Sequence, residues 1–181
     1  MRRQLLVMLC LLWVSTSISS AEDLAKDTAL AEAGDYDAML RVGHAYLTDQ
    51  DEGNNVDGIK WLEMSTSGGN VEAYLILGLV YQEGISVQKD AGKAVTNLTL
   101  AAELGEPRAM SRLAGIYFKG DLAPQNDVLA VKWAVCAAEL GNKSVLKNLE
   151  QLNKDVEARS KVLGKQAAEA WLKRRFPKSK P

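Results

Sequence analysis

The chain is poor in the groups that most enzyme chemistry needs. Its 181 residues hold one histidine, His44. A histidine-rich metal site draws several imidazoles or thiolates around one ion, and a serine or cysteine nucleophile is commonly activated by a neighbouring imidazole. With a single histidine, each such constellation has at most one possible imidazole partner. Glycines at Gly68, Gly69 and Gly84 lack the spacing of a phosphate-binding loop. Two Ser-x-x-Lys matches, Ser86-Val87-Gln88-Lys89 and Ser144-Val145-Leu146-Lys147, come without the companion segments that would make a penicillin-recognising site. Carboxylates are spread along the chain with no convergent pair. The expectation is no catalytic residue, no metal and no cofactor.

Long apolar runs are also missing. Residues 5–14 form an uninterrupted run of ten, about half of what a membrane-spanning helix requires. That run follows Arg2 and Arg3 and precedes the small, polar residues 15–21, ending Ser19-Ser20-Ala21. This is the three-part layout of a secretory signal peptide. Residues 1–21 are therefore expected to be removed on export, leaving a periplasmic or secreted protein with no transmembrane anchor. Cys10 lies inside the apolar run, which argues against a lipidated cysteine. Cys136 is then the one thiol left, so no intrachain disulfide can form. It lies in the apolar stretch 130–138, where a buried, inert thiol is expected.

Positive charge is scarce on the body. Without residues 1–21 the chain has 20 basic and 23 acidic residues, and five of the basic ones (Lys173, Arg174, Arg175, Lys178, Lys180) fall in the last nine positions. An acidic body disfavours nucleic acid as a partner. The tail reads as a helix end whose cations complement the macrodipole, with weak contact to an anionic membrane or partner surface as the sharper alternative.

What the chain does have is a repeat. Ala-Glu-Leu-Gly occurs at Ala102-Glu103-Leu104-Gly105 and Ala138-Glu139-Leu140-Gly141, with Ala31-Glu32-Ala33-Gly34 as a variant. Copies aligned on that glycine start at Gly34, Gly69, Gly105 and Gly141, spacings of 35, 36 and 36. A fixed period of this size means stacked supersecondary units, which moves the functional expectation from chemistry to binding.

Each unit reads as two helices. Helix A is predicted over residues 36–47, 71–83 and 107–119, with an inward stripe Ala38/Val42/Tyr46, Ala73/Leu77/Tyr81 and Ala109/Leu113/Tyr117 at i, i+4, i+8. Helix B is predicted over 56–67, 90–104 and 127–140, opened by Asp90 and Asp127 as N-terminal caps and ended by Gly69, Gly105 and Gly141. Residues 23–33 read as a leading helix B and 142–152 as a trailing helix A. Residues 154–176 read as a capping helix with Val156, Val162, Leu163, Ala167, Ala170 and Trp171 on its apolar side. The expected fold class is all-α, an α-solenoid of antiparallel helix pairs with a C-terminal capping helix. The expected organisation is a leader (1–21), a repeat array (22–152) and a cap with basic tail (153–181).

The second unit shows Ala73-x-x-x-Leu77-Gly78-x-x-Tyr81-x-x-Gly84 followed by Lys93-Ala94. The third shows Ala109-x-x-x-Leu113-Ala114-x-x-Tyr117-x-x-Gly120 followed by Ala130-x-x-Trp133-x-x-x-Ala137-Ala138-x-x-Gly141. The first keeps Gly43, Tyr46, Lys60 and Trp61 but has Thr48 in place of the loop glycine. This pattern resembles the Sel-one-like repeat, a relative of the tetratricopeptide repeat. Asn97 stands where the second unit would carry tryptophan, and the family's Gly-x-Gly-Val loop is degraded in every copy.

The resemblance implies that helix A lines a concave groove and that its non-framework positions meet a protein partner. Those positions are Asp37, Leu40, His44 and Leu47 in the first unit, Glu72, Leu75, Leu79, Gln82 and Glu83 in the second, and Arg108, Ser111, Phe118 and Lys119 in the third. Lys147 is added by the trailing helix. Leu40, Leu47, Leu75, Leu79 and Phe118 would form an apolar ridge, acidic at one end and basic at the other, suited to a helix or extended peptide. The expected function is an exported, non-catalytic adaptor. It would be an immunity or inhibitor protein against a periplasm-acting toxin, with an accessory subunit of an envelope machine, or a cell-wall or penicillin-binding hydrolase, as alternatives.

Overall fold

Helix ends in this chain are written locally, and the computed structural model shows how. It describes residues 21–48, 55–142, 145 and 154–177. The described helices are α1 (Ala21–Glu32), α2 (Tyr36–Thr48), α3 (Asn55–Ser67), α4 (Val71–Glu83), α5 (Ala91–Glu103), α6 (Pro107–Lys119), α7 (Asp127–Glu139) and α8 (Ala158–Arg175). No strand occurs among the described residues. The fold is all-α, and α4 and α6 have the limits read from the sequence. The trailing helix lies outside the described residues apart from Asn142 and Val145.

The starts are side-chain caps. Asp35 Oδ1 accepts from the N–H groups of Asp37 and Ala38 at 2.9 Å each. Asn70 Oδ1 accepts from Glu72 and Ala73 at 3.1 and 3.3 Å. Glu106 caps α6 ahead of Pro107, whose missing N–H costs nothing in a first turn. Asp90 Oδ1 accepts from Lys93 N at 2.9 Å, as its assignment as a cap requires. Asp127 is not its counterpart: Asn126 caps α7, accepting from Leu129 N at 3.0 Å. Asp127 occupies the first helical position instead. The repeat register agrees, because Asp90 N and Asn126 N donate to Tyr81 O and Tyr117 O, pairs 36 residues apart. The B helices end at glycine. Gly105 has φ +101°, its N–H donates to Ala102 O, and the next N–H, of Glu106, reaches back to Ala101 O at 3.0 Å. That closing pattern needs a left-handed residue.

The chain forms two compact units, Met1–Ala94 and Val95–Pro181, with the boundary inside α5. In the first unit α2 packs on α1 and α3, and α3 on α4. The α2–α3 crossing is close because glycine faces glycine: a Cβ on Gly43 would lie 2.8 Å from Gly58 O, and one on Gly58 2.9 Å from Gly43 O. The framework stripe points inward, with Ala38, Val42, Ala73, Leu77 and Tyr81 buried and Tyr46 half-buried. Arg41 donates to Asp27 through Nε and Nη2 at 3.0 and 2.6 Å, tying α2 to α1. That hydrogen bond holds the Asp27 carboxyl below its ordinary range.

In the loop after α4, Ser86 has φ +55°, the one non-glycine residue with positive φ among those described. It occupies the second-glycine place of the degraded Gly-x-Gly-Val loop. Its Oγ accepts from Nδ2 of buried Asn55 at 2.7 Å. A left-handed non-glycine residue costs about 1–2 kcal/mol, and this bond offsets it. Ser86→Ala keeps the strain and loses the bond, so it should lower stability by about 1–2 kcal/mol, while Ser86→Gly should recover about 1 kcal/mol of that. Thermal melting of the two variants checks the order; an alanine variant as stable as the parent would contradict it.

In the second unit α7 packs on both α6 and α8. The contact face of α8 differs from the expected one. Gly164, Ala168 and Trp171 are buried, whereas Val162, Leu163 and Ala170 are exposed and Ala167 is half-buried. The reason is proximity. A Cβ on Gly164 would meet Val131 Cβ at 2.6 Å and Val128 O at 2.9 Å, so the buried stripe is built of small residues closed by one indole. Val156, just before α8, is buried as expected. Cys136 is fully buried beside Ala168 O, and burial pushes its thiol up to about 11. Its burial is as its apolar setting implied.

Candidate interaction surface

The expected partner-facing positions fall on α2 and α4 of the first unit and on α6 of the second. On α2, Asp37 is exposed and accepts from Asn70 Nδ2 at 3.0 Å. Leu40 is half-buried against a core cluster that includes Leu62, Ile76, Leu77 and Val80. His44 is half-buried and engaged within the fold. Leu47 is buried in that same cluster.

On α4, Leu75 is 3% exposed. Leu47 and Leu75 are therefore core residues and not part of an exposed ridge, which corrects the exposure that the resemblance implied for them. The physical reason is that α4 is not a one-faced helix: Leu75, Ile76, Leu77, Gly78, Val80 and Tyr81 are all buried. A single inward stripe at i, i+4, i+8 leaves a second buried face unaccounted for. Leu79, Gln82 and Glu83 stay half-buried, as does Glu72. Gln82 Nε2 donates to Glu83 Oε1 at 3.1 Å, and Gln82 Oε1 is buried with no hydrogen-bond partner among the described residues.

On α6, Arg108 Nε donates to Glu106 Oε1 at 2.8 Å, so part of its charge is answered locally. Ser111 and Phe118 are half-buried, and Lys119 is exposed at the helix C-terminus. Lys147 lies outside the described residues. The first unit thus carries Asp37, Glu72 and Glu83 at these positions, and the second carries Arg108 and Lys119.

Behind α4, Tyr81 is held from outside the stripe. Its hydroxyl donates to Glu63 Oε1 at 2.8 Å and accepts from Lys93 Nζ at 3.4 Å, with the ammonium 4.7 Å from the ring centroid. Burial, reinforced by the Glu63 carboxylate, raises the Tyr81 hydroxyl above its usual range. These contacts fix the framework tyrosine in place. Among the described residues no group of three or more histidine, cysteine or acidic side chains could hold a metal ion. No helix there is long and apolar enough to cross a membrane.

One surface was not anticipated. Leu100 and Leu104 on and just beyond α5, and Phe176 just beyond α8, are exposed. Leu100 and Leu104 recur at i, i+4, away from the buried Ala101-Ala102 pair. That offset was the available signal.

The family described as Sel1 repeat matches the chain at residues 37–70, 71–106 and 107–142. Among solved structures, a Sel1 repeat protein from Oxalobacter formigenes is 34% identical, with a TM-score of 0.63 over 71% of this chain and 98% of that one. A protective antigen present in uropathogenic Escherichia coli strains, displaying an SLR fold, superposes with a TM-score of 0.79 at 21% identity, covering 90% of this chain and 37% of that one. Among curated proteins, DAP3-binding cell death enhancer 1 of Rattus norvegicus is 25% identical over 108 residues, 60% of this chain. Its counterpart from Mus musculus is 28% identical over 93 residues, 51% of this chain. The matched regions span 20% and 17% of the length of those two relatives.

Proposed function

Because this chain belongs to the Sel1 repeat family, we propose that it is an exported, non-catalytic adaptor of the bacterial envelope that grips a protein partner through helix α4 of the first unit. The observation that carries this reading is on α4. Leu79, Gln82 and Glu83 lie within one turn on a face the framework stripe does not use, and each keeps part of its surface in water. An apolar group, an amide side chain and a carboxylate in one turn match the mixed chemistry of a polypeptide better than that of a sugar or an ion. The curated relatives are themselves named for binding another protein, which supports a protein as the partner class. The leader-like residues 1–21 support export. An immunity or inhibitor role against a periplasm-acting toxin is the form of adaptor we favour.

The test is capture from envelope extract by the chain lacking residues 1–21, compared with Leu79→Asp and Glu83→Lys. Each variant is expected to keep its helicity and to weaken capture at least about tenfold, the scale of a hot-spot loss. Capture unchanged by both substitutions would refute the assignment of α4. A captured toxin that the chain inhibits supports the immunity form, and recovery of an envelope machine refutes it in favour of an accessory subunit.

A further inference from the structure

We propose that the end of the second unit, where α5 and α8 finish together, is a docking edge for an anionic lipid surface. Three observations meet there. First, the apolar residues are contiguous. Leu100 and Leu104 are 43% and 40% exposed and one turn apart. Phe176 is 48% exposed, and a Cβ on Gly105 would lie 3.7 Å from its ring.

Second, the edge is built and not frayed. Trp171 is buried beside Phe176 with ring centroids 6.1 Å apart, and Arg175 Nη2 donates to Leu104 O at 3.3 Å. The Glu103 carboxylate beneath accepts from Trp171 Nε1 at 2.6 Å and faces Lys132 Nζ at 3.6 Å, so its negative charge is already answered. Third, Lys173, Arg174 and Arg175 are exposed on the last turn of α8, and Lys178 and Lys180 follow in the sequence. A helix macrodipole presents about half a charge at its C-terminus, far less than the three described cations supply.

Hydrocarbon flanked by cations is what an anionic bilayer interface takes: Lys and Arg partition toward the surface potential while aromatic and aliphatic groups enter the headgroup boundary. Charge segregation decides the orientation. Outside the leader and the tail the chain has 15 basic and 23 acidic residues, so a negative surface attracts this edge and repels the rest. The inference is independent of the α4 reading.

The experiment is co-sedimentation of the chain lacking residues 1–21 with phosphatidylethanolamine/phosphatidylglycerol vesicles and with phosphatidylcholine vesicles. Binding to the anionic vesicles alone, falling as salt rises, is expected. Each cation contributes roughly fivefold to partitioning, so Lys173→Glu with Arg174→Glu should reduce binding by at least about tenfold. Phe176→Ser should reduce it without altering its salt dependence. Near-UV circular dichroism from the tryptophans confirms that both variants keep the α8 packing. Failure to bind anionic vesicles, equal binding to both compositions, or full binding by both variants overturns the proposal. So does an acidic protein that occupies the edge and excludes vesicles.

Discussion

Leu75→Asp is expected to unfold the first unit, whereas Leu79→Asp, four residues on, is expected to leave it folded. Leu75 is 3% exposed on a helix whose neighbouring positions 76, 77, 78, 80 and 81 are buried too. Removing a buried leucine side chain costs about 2–5 kcal/mol through lost transfer energy and the cavity left behind. A carboxylate in its place adds a desolvation penalty, met in part by protonation. The sum, at least about 4 kcal/mol, is a large share of the roughly 5–15 kcal/mol that holds a domain folded. Leu79 keeps part of its surface in water, so its aspartate can remain solvated and the cost should stay below about 1.5 kcal/mol. Urea titration followed by far-ultraviolet circular dichroism separates the two. A cooperative transition for Leu75→Asp at the parental midpoint would mean that α4 has one buried face after all. The difference is also what makes Leu79→Asp usable as a probe of binding.

The boundaries of α4 and α6 agree with the sequence reading, and the structure shows the local devices that set them: Asn70 or Glu106 as cap, Pro107 in a first turn, Gly84 and Gly120 after the last one. The packing of those helices was less legible. A stripe at i, i+4, i+8 marks one buried face, and α4 has more than one, so Leu75 looked free until its surroundings were known. Asp127 was mistaken for a cap because aspartate and asparagine both cap well; the nine-residue bond from Asn126 N to Tyr117 O, repeating that from Asp90 to Tyr81, decides between them. On α8 the error had the opposite cause. Val162 and Leu163 carry the hydropathy, but the surface that meets α7 is made of Gly164 and Ala168, whose value lies in what they lack. Small residues at a close crossing leave almost no trace in a hydrophobic pattern.

Trp171 is the residue on which α8 depends, and Trp171→Ala should release it. The indole is 3% exposed, stands edge-on to Trp133 at 6.0 Å, and donates to Glu103 Oε2 at 2.6 Å. Truncating a buried tryptophan costs about 3–5 kcal/mol. The loss falls on a helix whose other buried contacts, Gly164 and Ala168, bury little apolar area of their own. Trp171→Phe keeps a ring against Trp133 and loses the bond to Glu103. That carboxylate is 43% exposed and water can replace the donor, so the phenylalanine variant should lose about 1–1.5 kcal/mol. Cys136 provides the readout. It lies under α8 beside Ala168, fully buried, with its thiol pushed up to about 11 by desolvation. At neutral pH such a thiol is almost wholly protonated and unreachable, so the parent should resist an aromatic disulfide reagent. Detaching α8 exposes Cys136 to water and returns its thiol toward the ordinary value near 8.5, raising both access and thiolate fraction. Labelling should therefore be negligible in the parent, slow in Trp171→Phe and fast in Trp171→Ala, while far-ultraviolet circular dichroism shows α7 still helical. Fast labelling of the parent, or an alanine variant as unreactive as the parent, would mean that α8 does not cover α7 in solution.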